Sequence, residues 1–137
     1  MTKIYPKKRK KGFTLIEIII VFTLIGILVG LGIPQYKYAT KRARESILRE
    51  NLFQMRILIN QYYADKQKYP LSLQTLVDEG YLYKIPADPI TKSSETWVEV
   101  RETLTDENVL LAVEPGIVDI FSGSEQKGID GTLYNTW

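Results

Sequence analysis

The stretch from Phe13 to Ile33, FTLIEIIIVFTLIGILVGLGI, carries one ionisable side chain, Glu17, and follows directly on the basic run Lys7-Lys8-Arg9-Lys10-Lys11 and Gly12. As a helix rising ~1.5 Å per residue it extends about 30 Å, enough to cross the hydrocarbon core of a bilayer. A chain of 137 residues then has room for one membrane segment and one small soluble domain, not for two cores. Six of the 18 Lys and Arg precede Gly12 with no acid among them, which leaves twelve against 16 Asp and Glu, a balance of −4 from Phe13 onward. The pI near 8.7 belongs to that short head, so overall basicity gives no reason to expect a nucleic-acid partner. Clustered cations beside an apolar run instead place the N-terminus in the cytoplasm and the remainder across the membrane.

Two ordinary readings of such a head are a secretory signal and a signal anchor. A secretory signal has a shorter apolar stretch followed by a small-residue cleavage site; here the apolar run continues to Pro34 with no A-x-A-like site after it. The signal anchor stays open on these grounds alone. The chain has no cysteine and no histidine, which removes disulfides, the usual zinc sites and most nucleophile and base pairs. A small core without disulfides is expected to need a metal or neighbouring subunits.

Beyond Pro34 the apolar pattern becomes one-sided. Ala43, Leu48, Leu52, Met55, Ile59 and Tyr62 recur at helical spacing, with Arg44, Glu45, Arg49, Glu50, Arg56 and Gln61 on other faces. The expectation is one helix from about Phe13 to about Asp65, with Pro34 as its natural kink and Glu45 and Arg49 as a solvated i, i+4 pair. Ser72 caps a short helix to about Glu79, with Leu73, Leu76 and Val77 inward and Gly80 at its end. The prolines at 86 and 89 make the following segment a connecting loop. Thr96 to Glu102, Val109 to Val113 and Ile117 to Phe121 are strand candidates. The tail from Ser122 to Thr132 is turn-rich, and Leu133 to Trp137 returns an aromatic side chain to the core. The fold class is α+β: a long N-terminal helix, transmembrane in its first half and amphipathic in its second, packed on a small C-terminal antiparallel sheet.

Three places carry candidate function. Glu17 lies about one turn into hydrocarbon, where a carboxylate is costly unless paired, which makes it a functional candidate; the alternative is a side chain that snorkels from the helix end. Gly26 and Gly30 have a small-xxx-small spacing that lets helices approach, a weak signal in a membrane helix. In the tail loop, oxygens on Ser122, Ser124, Glu125, Asp130 and Thr132, between glycines, suit a hard cation such as calcium, against the reading of an exposed polar turn. Asp119 fits a loop-anchoring acceptor better than a ligand. For catalysis there are only adjacent acids, Asp78-Glu79 and Asp106-Glu107, which on a helix point apart and face water.

Gly12-Phe13-Thr14-Leu15-Ile16-Glu17, set between a basic leader and a long apolar helix, resembles the processing motif of type IV pilins and of the pseudopilins of type II secretion. YPLSLQTLVDEGYL, KIPADPIT and the terminal DIFSGS, DGT and NTW resemble the globular domain of major pseudopilins, so the likeness covers nearly the whole chain. It implies a cleaved leader over 1–12, a transmembrane assembly helix over 13–34 with Pro34 where it bends, and a periplasmic pilin-like domain over 35–137. A prepilin peptidase of the bacterial inner membrane would cut between Gly12 and Phe13 and methylate the new amine of Phe13. Glu17 would then meet the amine of a neighbouring subunit. The family's calcium loop would place Glu125 and Asp130, with Ser124 and Thr132, as ligands, although this loop is shorter and has glutamate where aspartate is usual. The implied role is a structural subunit, not an enzyme. It would polymerise into a periplasmic pseudopilus for type II secretion, with minor pseudopilins, an inner-membrane assembly platform and a cytoplasmic ATPase as partners. The alternatives are a subunit of a surface type IV pilus, against which the missing cysteine pair argues, a signal-anchored binding module, and a DNA-uptake pseudopilin, for which the −4 balance offers no phosphate track.

Overall fold

The computed structural model describes residues 12–106, 108 and 113–137. The basic leader before Gly12 and most of the strand candidate at 109–113 lie outside these residues; Val113, its last residue, is not in a strand. Two compact units are present, Met1–Tyr38 and Ala39–Trp137.

Helix α1, Leu15–Lys66, has 52 residues and contains Pro34 without ending there. Its start is written in the sequence as Thr14-x-x-Glu17. The Thr14 hydroxyl accepts from the Glu17 amide, and the Glu17 carboxylate accepts from the Thr14 amide, both at 3.3 Å, a reciprocal cap that satisfies two otherwise orphan donors. Within the first unit the apolar side chains from Leu15 to Ile33 are exposed, and the helix is long and apolar enough to cross a membrane. Thr23, the one hydroxyl in the middle of this run, donates to the Ile19 carbonyl at 2.8 Å, so its polar group is satisfied within the helix. A methyl group at Gly26, Gly30 or Gly32 would meet nothing within the chain, so packing inside one copy does not require these glycines.

In the second unit α1 buries one stripe, Glu45, Leu48, Leu52, Met55, Ile59 and Tyr62. The steps alternate three and four, which keeps every member on one face. Ala43, expected on this stripe, is exposed: it sits two residues before Glu45, roughly 200° away around the helix. The stripe shares a core with Leu73, Leu76, Trp97, Ile117, Ile120 and Tyr134. Each fully buried aliphatic side chain there contributes about 1.5–3 kcal/mol by leaving water.

Helix α2, Leu73–Asp78, is capped by Ser72, whose hydroxyl accepts from the Thr75 amide at 3.2 Å, and the chain leaves it through Gly80 at φ 80°. Strands β1, Val98–Arg101, and β2, Ile117–Phe121, pair antiparallel. The register runs Val98 to Phe121, Glu99 to Ile120 and Val100 to Asp119, then shifts so that Arg101 meets Ile117. Val118 is therefore the extra residue of a bulge. Three residues apart, Ile117 and Ile120 would face opposite sides of a regular strand; the bulge turns both into the core.

The loop between α2 and β1 is anchored from beneath. Asp88 is fully buried: its Oδ1 accepts from the Ile90 amide at 2.7 Å, and its Oδ2 accepts from the Ser122 hydroxyl at the end of β2. Trp97 Nε1 donates to the Pro86 carbonyl and Asn51 Nδ2 to the Ala87 carbonyl.

Candidate functional site

At the N-terminus, Gly12 and Phe13 are exposed and precede the helix, so the peptide bond between them is accessible. Glu17 stands in the first turn of α1 with its carboxylate on the Thr14 amide. The carboxylate thus has a local partner in the single chain, which the sequence reading of Glu17 as an assembly residue did not include; the signal was the Thr-x-x-Glu spacing.

The C-terminal segment is gathered by one flank of α1. Four side chains stepping along the helix reach it. Lys41 Nζ donates to the Lys127 carbonyl at 2.8 Å. Glu45 Oε1 accepts from the Ile129 amide at 2.7 Å and from the Tyr134 hydroxyl at 2.8 Å. The Arg49 guanidinium lies 4.2 Å over the Trp137 ring and 3.7 Å from Asp130 Oδ2. Arg56 Nε donates to Asp119 Oδ1 at 2.6 Å, and its Nη2 donates to the Ile120 and Trp137 carbonyl oxygens. Glu45 is only 4% exposed, so the expected solvated pair with Arg49 is corrected: Glu45 points into the fold and Arg49 along its edge. Asp119 is the anchoring acceptor expected, although the donor is a helix arginine.

Burial first, and then the bond to Glu45, pushes the Tyr134 phenol up to about 12. At Asp130 the Thr132 hydroxyl and amide, at 2.7 and 3.0 Å, hold the carboxyl below its usual range. On the far side of the unit Lys66 bonds Glu79 at 2.8 Å, raising the amine and lowering the carboxyl.

Three of the side chains named for calcium have partners within the chain. Ser124 Oγ accepts from the Gln126 amide, Ser122 Oγ is taken by Asp88 and the Ser124 amide, and Asp130 faces Thr132 and Arg49. Among the described residues no three acidic side chains form a set that would hold a metal. A calcium ion takes six to eight oxygens from carboxylates, carbonyls and waters; the loop offers two carboxylates, Glu125 and Asp130, and that of Asp130 is engaged by Thr132 and Arg49.

Residues 7–33, which include the exposed Gly-Phe junction and the glutamate of the first turn, match the family described as the prokaryotic N-terminal methylation motif. Over 92% of its length the chain is 26% identical to the type II secretion system core protein G of Klebsiella michiganensis, covering 90% of that protein. It is 29% identical to the core protein G of Pseudomonas aeruginosa over 61% of this chain and 70% of the relative. The type IV major fimbrial protein FimA of Dichelobacter nodosus is 42% identical over 62 residues, 45% of this chain and 39% of that one. No solved structure matches. The chain's resemblance is thus to the type IV pilin superfamily and, over nearly its whole length, to the core protein G of type II secretion.

Proposed function

We propose that the chain is a structural subunit that polymerises through α1 into a periplasmic pseudopilus serving protein export by type II secretion. The observation that carries this reading is the N-terminal motif over residues 7–33, whose part from Leu15 onward lies on a helix with exposed apolar side chains. Before assembly that surface lies in the inner membrane, with the leader in the cytoplasm and the second unit in the periplasm. A prepilin peptidase cuts between Gly12 and Phe13 and methylates Phe13. The amine of Phe13 in one copy then meets Glu17 of the next, so that two charges neutralise each other in an apolar bundle. Work is supplied by the assembly platform and its ATPase, so the chain needs no catalytic site. Minor pseudopilins complete the filament.

A surface pilus is the second reading, favoured by the local likeness to the fimbrial protein. Long surface fibres built of this chain would select it.

The test uses two variants of Glu17. Glu17→Gln keeps a side-chain acceptor for the Thr14 amide and removes the charge, whereas Glu17→Ala removes both. In a background with one cysteine introduced in the first half of α1, Leu28→Cys, disulfide crosslinking between copies in membranes is expected to drop at least ten-fold in both variants, with leader cleavage preserved. Wild-type crosslinking in Glu17→Gln would overturn the charge pairing.

A further inference from the structure

We propose that the C-terminal loop is closed by Arg49 acting as a built-in cation, and that Asp130 takes no calcium. The contacts form a ring. The Arg49 guanidinium faces Asp130 Oδ2 at 3.7 Å; Asp130 Oδ1 accepts from the Thr132 hydroxyl at 2.7 Å; that hydroxyl accepts from Trp137 Nε1 at 2.6 Å; and the Trp137 ring lies 4.2 Å beneath the same guanidinium. The Thr132 hydroxyl is committed as donor to Asp130 and acceptor from Trp137, and Asp130 Oδ1 also receives the Thr132 amide. The remaining oxygen of Asp130 faces a positive charge, and a dication bound there would be repelled by it.

The ion pair contributes little by itself, since both side chains are at least half exposed. Its geometry holds because the planar guanidinium is seated on the indole, an arrangement arginine supports and a hydrated ammonium does not. The indole is fixed in turn, edge-on to Tyr134 at 5.0 Å, and Tyr134 bonds to buried Glu45. Lys41 supplies a second cation to the loop, at the Lys127 carbonyl oxygen, and Arg56 holds Trp137 through its main-chain oxygen. Positive charge is thus delivered to the loop from α1 at two points, Lys41 and Arg49, which is the task a bound cation would otherwise perform. This inference holds whether or not the chain polymerises.

The experiment uses the full chain in detergent, with thermal unfolding followed by circular dichroism in excess CaCl2 or in EGTA, and with calorimetric titration of CaCl2. The expected result is one Tm under both conditions, no binding heat, and a Tm lowered by about 3–6 °C in Arg49→Met. Arg49→Lys, which keeps the charge without the planar stack, should fall between. A wild-type Tm raised by calcium, a binding heat lost in Asp130→Asn, or an unchanged Tm in Arg49→Met would each overturn the proposal. Should Arg49→Met fail to fold, the wild-type calcium titration decides alone.

Discussion

Glu45 shows how a single side chain can be misjudged from its type. Taken as a charge on a helix with Arg49 one turn later, it belongs on a solvated face; taken by its place in the three-four stepping that ends at Tyr62, it belongs in the core. The period was present in the sequence, but its reading began at Ala43, two residues out of phase. What the sequence did not contain was the pair of donors, Ile129 and Tyr134, more than eighty residues away, that make burial of the carboxylate affordable. Glu45→Ala strands both donors and is expected to cost about 2–4 kcal/mol in urea unfolding, and Glu45→Gln about half as much. Tyr134 gives the same contact a pH signature. Its phenol is raised above the ordinary value near 10, so its contribution is complete below that pH and is lost as the pH rises toward 12. Lys66 acts in the same sense. Asp130 and Glu79 are lowered, so what they contribute is present above the ordinary carboxylate range and is lost as the pH falls through their lowered values. Unfolding midpoints measured against pH should therefore decline at both ends, with a shallower alkaline decline in Tyr134→Phe; an identical alkaline limb in that variant would disprove the assignment.

At the scale of elements, local chemistry was the readable part. Ser72 and Gly80 bracket α2 where capping rules place them, and β2 occupies Ile117–Phe121 as its β-branched pattern suggests. β1 is shorter than expected, without Thr96, Trp97 and Glu102, and its pairing with β2 passes through a register shift before Arg101. That shift depends on which residues of two distant segments meet, and no local pattern encodes it. Ser72→Ala should cost about 1 kcal/mol through the lost Thr75 bond. Gly123→Ala should cost about 1–3 kcal/mol, since a Cβ at that position would run into the Thr96 carbonyl oxygen, a backbone atom with no freedom to turn aside. A chemical-unfolding midpoint for Gly123→Ala equal to that of wild type would show that the approach of the two segments is looser than described.

For the molecule as a whole, the apolar helix and its basic head dominate what the sequence discloses, because lipid demands an uninterrupted apolar surface that composition alone reveals. The loop was the least legible part: its oxygens were visible in the sequence, but the cations that face them, Lys41 and Arg49, come from α1. The central claim is that the trimmed helix, beginning at Phe13, is what joins one copy to the next. Intact-mass measurement on the sedimentable, high-molecular-weight fraction of native membranes tests it most directly. The expected species starts at Phe13 and is heavier than residues 13–137 by the CH2 that one N-methylation adds; recovery of the chain only outside that fraction, still beginning at Met1, would contradict it.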